Sequence, residues 1–386
     1  MASTFTQLAK YGHQLDGTLN RYKSVFYPQR YVEYRRWLKR QNTSIPQNTP
    51  LVVFDFRDTR IDGPQGRRFY CLFIFFIRAG FYPVLRENYF FLGNIHEKYK
   101  SLCLQEDFSV LHDEDALPEN YVLVTDKWHS SLSASARQII SLNYQPGYSP
   151  QDNCFPMPFP MFPPIYACRQ DLQLKWYRQQ PRLWDIFFGG DANPEKYNKN
   201  SIRDIYEKLG RAQILELIRE HNNPHYEFRE LQNTSDFNLA RVQQIQGLVV
   251  MNTRHCKVDS ADWLSTIANS HFFLACPGVR YPMSHNLIEA MAVGTIPITQ
   301  YPEMFFPALE HGKNCLVFNN AADLLQVIEV ATSMSETHRV KMREAAQDYY
   351  ESYLSPAHCI SRLLAHHPRK ISLRLLPFLK EGGGFA

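Results

Sequence analysis

The sequence predicts an α/β protein built as two domains, and three observations predict it. Short apolar runs alternate with segments of helical period along most of the 386 residues. That alternation implies largely parallel sheets with helices on both faces. Residues 269–299 spell one complete βαβ unit, its loop at the carboxyl end of a strand, where open α/β sheets bind ligands. Residues 144–164 interrupt the pattern with prolines too dense for a helix or a central strand, and separate two α/β blocks. The chain is long enough for two domains of ordinary size.

Composition narrows the class. A hydrophobic fraction of 44% and a charged fraction of 21% suit a globular chain with substantial cores. A net charge of +4 is small for this length and gives no reason to expect nucleic acid as a partner. None of the eight cysteines forms a CxxC pair, so no zinc site is expected. Several lie in apolar strand-like runs, which predicts buried thiols and a reducing, cytoplasmic setting. The first thirty residues hold no apolar core of a signal peptide. The most apolar run, Phe69 to Ile77, is about half the length of a spanning helix and reads as a buried one.

In the first half, residues 34–40 read as a charged helix and Leu51 to Phe56 as a first buried strand. A loop from Arg57 to Gly66 leads into a helix from Arg67 to Ala79, ended by Gly80. Tyr82 to Leu85 and Tyr121 to Thr125 are further strands. The proline-rich run, Phe155 to Pro164, reads as an extended connector between two domains, or else as a rigid lip of the cleft between them.

The second half is cleaner. Leu183 to Phe188 is a strand ending at Gly189-Gly190. Ser201 to Arg219 reads as one helix with an apolar stripe. Strands are expected at Leu248–Met251, His271–Ala275, Thr295–Thr299 and Cys315–Phe318. Helices are expected at Ser260–Ala268 behind Asp259, at His285–Val293, Ala321–Thr332 and Glu336–Tyr353, with Pro356 ending the last.

The chemistry concentrates in two loops. In the βαβ unit, Pro277, Gly278 and Ser284 precede a helix that carries Glu289 about one turn in. Backbone N–H groups at that helix start favour a diphosphate. A carboxylate slightly deeper suits ribose hydroxyls, or serves simply as a first-turn glutamate complementing the helix dipole.

Ser284, Glu289, Ala290, Gly294, Ile296 and Pro297 fall in the register of the donor half of GT-B glycosyltransferases, which this stretch resembles, the exostosin-like group most of all. That group carries an arginine where Asn286 stands, and Arg280 in the same loop is the substitute. The run Glu310 to Phe318, with Lys313, and the strand end Gly189-Gly190 are similar to other parts of that half. The resemblance covers residues 180–335. It implies two Rossmann-like domains facing a cleft, a nucleotide-sugar donor, and no bound metal or other cofactor. On that reading the chain divides into an acceptor-side domain at 1–150, a linker at 151–180, a nucleotide-sugar-binding domain at 181–355 and a tail at 356–386. Donor-binding residues are then Gly189, Gly190, Pro277, Gly278, Arg280, Ser284, Asn286, Glu289 and Lys313.

The other loop, Asp55 to Arg68, carries four arginines and several aspartates directly after a buried strand. It lacks the GxGxxG spacing of a dinucleotide site. It reads as a catalytic, acceptor-facing loop, or else as a solvated loop with internal ion pairs. Asp62, projecting from an Asp-Gly turn, is the first candidate for general base and Asp55 the second. Arg68 would offset charge on a leaving diphosphate, and Arg57, Arg60 and Arg67 lie on the acceptor side.

Asp126, Lys127 and His129 follow a strand and have a capping or a functional reading. The cluster His112-Asp113-Glu114-Asp115 reads as a solvated face rather than a metal site. The tail, Arg369 to Lys380, mixes basic and apolar residues; it could rest on an anionic membrane surface at the inner face, but such a tail more often packs back on its domain, and Pro377 limits any helix.

The expectation is a glycosyltransferase that moves sugar from a nucleotide-sugar to a saccharide or lipid-linked acceptor, in polysaccharide or glycoconjugate synthesis. The rivals are a nucleotide-sugar epimerase and a non-catalytic carbohydrate-binding or scaffolding protein of the same fold.

Overall fold

The fold is seen in a computed structural model, which describes residues 28–114, 117–144, 154–197, 201–221, 226–279, 281–365 and 369–375. The chain forms two compact units. One is Met1–Met157 with Pro356–Ala386, and the other is Pro158–Ser355.

In the first unit the strands are β1 (Leu51–Asp55), β2 (Tyr82–Arg86), β3 (Ser109–Leu111), β4 (Val122–Thr125), β5 (Gln138–Asn143) and β6 (Cys154–Pro156). The second unit holds β7 (Trp184–Gly190), β8 (Glu227–Leu231), β9 (Ile245–Asn252), β10 (Ser270–Leu274), β11 (Ile296–Thr299) and β12 (Leu316–Val317). A last strand, β13 (Lys370–Arg374), returns to the first unit.

Every strand pairing in both sheets is parallel, as the alternating pattern predicts. The first sheet runs β3-β2-β1-β4-β5-β13-β6 and the second β12-β11-β10-β7-β9-β8. Both are α/β sheets with a reversal of strand order, between β1 and β4 in one and between β7 and β10 in the other. Ligands bind outside the carboxyl ends of strands at such reversals.

The first core forms because β1 alternates its faces. Leu51 and Val53 pack with Val84, Leu123 and Leu132. Phe54 turns the other way, onto Phe69, Phe73 and Phe76 of the helix Arg67–Arg78. Each fully buried phenylalanine there contributes roughly 1.5–3 kcal/mol. The second core gathers Ile186, Phe188, Leu248, Val250, Phe272 and Leu274 from three strands under Ile214, Ile218, Leu324 and Ile328.

Several expectations are corrected. The described residues after Ser355 do not form a tail. Pro356 opens the helix Pro356–Ala365 instead of ending one, a position where its missing N–H costs nothing. That helix packs on Arg67–Arg78, and β13 then pairs along β5 from Ile139 to Asn143 and along β6. Residues 376–386 lie outside the described residues.

The stretch 151–180 is not a separate linker. It gives β6 to the first unit and the short helices Pro163–Ala167 and Leu174–Arg178 to the second. The helix expected over 201–219 is two, Ser201–Tyr206 and Arg211–Glu220. Glu207 turns to a φ of 56° between them, and Gly210 occupies the N-cap position of the second. All eight cysteines are free, and all but Cys168 are buried. Among the described residues no helix is long and apolar enough to cross a membrane.

Candidate functional site

At the reversal of the second sheet, β7 and β10 end side by side. Gly189-Gly190 closes β7, and the loop from Ala275 to Ser284 follows β10. A Cβ on Gly189 would fall 2.6 Å from the Phe187 ring and 2.8 Å from that of Trp263, so any side chain there would have to displace both rings. The Gly189 carbonyl accepts a 2.8 Å hydrogen bond from Asn286 Nδ2. Where the resemblance expects a cationic side chain, Asn286 fastens a helix to a strand end.

The residue that joins the two loops is Arg211, which the sequence reading missed. It is only 6% exposed. Its Nε donates to the Pro277 carbonyl at 3.1 Å and its Nη1 to the Asp191 carbonyl at 2.8 Å. Its guanidinium lies over the Tyr197 ring at 3.9 Å. Each acceptor is neutral, so among the described residues no carboxylate offsets its charge. Read as the middle of one long helix, Arg211 had no signal. The break at Gly210 makes it the first residue of a new helix.

The other predicted donor residues behave differently. Pro277 is buried, and the Gly278 N–H closes the loop on the Pro282 carbonyl at 3.2 Å. Ser284 holds the N-cap position of His285–Ala292 without capping it; its buried hydroxyl has no hydrogen-bond partner among the described residues. Arg280 lies outside the described residues. Lys313 sits on an exposed turn paired with Glu310 at 2.8 Å, so that pair is a surface contact of small value.

Glu289 is the main correction. It is fully buried. Oε1 accepts from the Phe162 backbone N–H at 2.8 Å and Oε2 from the Trp263 indole at 2.6 Å. Burial pushes its carboxyl up to about 7, against the pull of those two bonds. It anchors the segment around Phe162 and offers no free oxygen to a ribose.

At the reversal of the first sheet the loops after β1 and β4 meet. Asp55 is wholly buried. It accepts from Lys127 Nζ at 2.5 Å, Ser130 Oγ at 2.6 Å and Arg86 Nη1 at 3.1 Å. Arg86 also grips Glu114. Asp62 does not project from its turn: it is 5% exposed and pairs with the buried Lys100 at 3.0 Å and with Asn94 at 3.1 Å. Burial raises the Asp62 carboxyl and lowers the Lys100 ammonium, each opposed by the other's charge. Both proposed bases are thus held in buried ion pairs, and neither is placed to take a proton from a ligand.

Asp126, directly after β4, is placed differently. It is half-buried, and burial raises its carboxyl. One oxygen accepts from the Arg57 N–H at 2.8 Å and the other from the Tyr144 hydroxyl at 3.4 Å, a long contact. Arg60 stacks over the Tyr144 ring at 4.5 Å, and Arg67 over Tyr99 at 5.0 Å. Arg68 runs beside Gly63, whose φ of 56° and lack of a side chain leave room for it. Among the described residues no group of three or more metal-binding side chains comes together.

No protein-family model matches the chain, and no curated protein matches it. Solved structures share its general course. A glycosyltransferase from Rickettsia africae is similar over 83% of this chain and 100% of its own, at 10% identity and a TM-score of 0.41. The N-terminal domain of a Candida albicans trehalose-6-phosphate phosphatase is similar over 84% and 99%, at 9% identity and 0.40. An alpha-glucosyltransferase in complex with UDP is similar over 82% and 98%, at 10% identity and 0.38. Likeness at this level carries no argument about activity, which has to come from the sites themselves.

Proposed function

We propose that the chain is a glycosyltransferase of the GT-B kind that takes a sugar from a nucleotide-sugar and passes it to a saccharide or lipid-linked acceptor. The observation that carries the reading is Arg211. A buried guanidinium, held by neutral carbonyls and stacked on the Tyr197 ring, bridges the two loops at the strand-order reversal of the second unit. A cation fixed there, beside glycine backbone, suits the diphosphate of a donor and the charge that grows on it as the sugar leaves. The reading needs no bound metal or other cofactor, because Arg211 supplies the positive charge.

The exostosin-like likeness enters only through Ser284, Gly294 and the Ile296-Pro297 strand start. Glu289 acts here as a positioning residue. In the first unit, Asp126 is the carboxylate suited to accept a proton from an acceptor hydroxyl, since its pKa is raised and one of its two contacts is long. A second reading, a carbohydrate-binding protein without transferase activity, is favoured by one observation: Asn286 and Glu289 are both spent on internal bonds.

Calorimetry of the full chain with UDP and GDP tests the proposal. One nucleoside diphosphate should bind, and Arg211→Met should weaken it about tenfold or more, the worth of a charge-assisted hydrogen bond. Transfer from the matching nucleotide-sugar to a saccharide would then set the enzyme apart from the binding protein. Epimerised donor without transfer would point to an epimerase. No binding of either nucleotide would remove the basis for all of these.

A further inference from the structure

We infer that the loop after β1 is a phosphate-binding site, formed by Arg57, Arg60 and Arg68, and that the acceptor therefore carries a phosphate group. The identity of the ligand as an acceptor rests on the transferase reading; the site itself does not.

The argument begins with how the loop's charges are spent. A solvated loop would have its arginines and aspartates neutralise each other. The structure pairs the aspartates elsewhere. Asp55 is taken by Lys127, Ser130 and Arg86, and Asp62 by Lys100 and Asn94. Asp58 accepts from the Arg60 backbone N–H at 2.7 Å, and Asp126 from the Arg57 backbone N–H. The guanidiniums of Arg57, Arg60 and Arg68 form no ion pair among the described residues, although the charge of Arg57 acts on Asp126 from a longer range. Arg57 and Arg60 are exposed. Arg68 is half-buried, and burial lowers its pKa, the cost of a desolvated charge without a counter-ion.

Tyr144 ties the group together. Arg60 stacks on its ring, Arg68 lies close enough to feel its hydroxyl, and that hydroxyl reaches Asp126, which also holds the Arg57 backbone. Asp58 and Asp126 are the acidic groups that act on Tyr144, and both already accept from N–H or O–H donors. What remains unmet is a set of guanidinium donors, and the ligand that meets them is an oxyanion. Guanidiniums match phosphate and carboxylate alike. Three of them suit a phosphate, which offers more acceptor oxygens than a carboxylate does. The place also fits, since the loop leaves the carboxyl end of β1 at the strand-order reversal. Trp128, two residues after Asp126 and 88% exposed, offers a flat apolar face beside the same strand ends, suited to a sugar ring.

The test is calorimetry of the full chain with inorganic phosphate, a hexose phosphate, the same hexose without phosphate, and glucuronate, each in saturating nucleotide to occupy any site at Arg211. Hexose phosphate should bind, with the plain hexose and glucuronate at least about tenfold weaker, one charge-assisted contact or more. Arg57→Gln and Arg60→Gln, both at exposed positions, should each weaken hexose phosphate about tenfold and leave nucleotide affinity unchanged. Arg68→Gln should weaken it further. Inorganic phosphate binding as tightly as hexose phosphate would still place the anion here and would deny the sugar a part. The inference is overturned if hexose phosphate does not bind. It is also overturned if Arg57→Gln and Arg60→Gln bind it like the parent, or if glucuronate binds as well. Loss of nucleotide binding with hexose phosphate binding retained would instead sink the transferase reading and leave this site standing.

Discussion

The two units set similar strand ends to opposite electrostatic uses. In the first, buried carboxylates are held by cations from neighbouring elements, and Arg57, Arg60 and Arg68 of the loop form no ion pair among the described residues. In the second, the buried carboxylate Glu289 serves two N–H donors, and the buried cation Arg211 is held by carbonyls. The lesson is that a charged residue at a strand end is not functional because it is charged. What matters is whether its partners cancel the charge. Asp55, Asp62 and Glu289 are cancelled or enclosed. Arg57, Arg60, Arg68 and Arg211 form no ion pair with a carboxylate among the described residues.

The comparison can be broken most severely at Asp126. If it is the base, Asp126→Asn should cut turnover about 100- to 10,000-fold while thermal stability hardly changes. Near-normal turnover in a steady-state assay would return the base to an unassigned residue. Next comes Asp62→Ala, which strands the Lys100 ammonium in the core and should cost about 3–5 kcal/mol of stability. Denaturant unfolding that shows no loss would mean that the pair is not buried as described.

Glu289→Ala should cost about 2–4 kcal/mol, because the Phe162 N–H and the Trp263 indole lose their acceptor. The same residue has a pH signature. Its folded pKa, about 7, lies above the unfolded value. Below about pH 4 both states are protonated and the site costs nothing. From there up to about 7 the unfolded chain releases the proton first, so stability falls, and above 7 the loss is complete. Melting temperatures of the parent and of Glu289→Gln across that range should diverge with this sign, and parallel curves would refute it. The smallest expected effect is that of a chelator: EDTA should leave turnover unchanged, and loss restored by Mn²⁺ or Mg²⁺ would show that Arg211 is not a sufficient cation.

Much of the architecture was legible because its cause is local. The runs Leu51–Phe56 and Leu183–Phe188, and the βαβ unit around Glu289, follow from apolar periodicity, glycine and proline. β13 was not legible: Lys370, Arg374 and the nearby Pro377 make a poor strand signal, and what fixes it is pairing with β5, more than 220 residues earlier. The sites divide in the same way. That chemistry belongs to the loops after β1 and β10 could be read from position. Which residues are free to act could not, because Lys100 is 38 residues from Asp62 and Phe162 is 127 from Glu289. Arg211 was hidden by a helix that looked continuous. Only Glu207 and Gly210 hinted at the break.

The placement of β13 also fixes an order of events during synthesis. The second unit is one unbroken stretch and leaves the ribosome whole, whereas the first sheet lacks an inner strand until residues 370–374 have been made. Domains generally fold as units when their chain becomes available. The half that begins first is therefore the half that finishes last, and until then β5 and β6 each present an open edge to whatever else could pair with them.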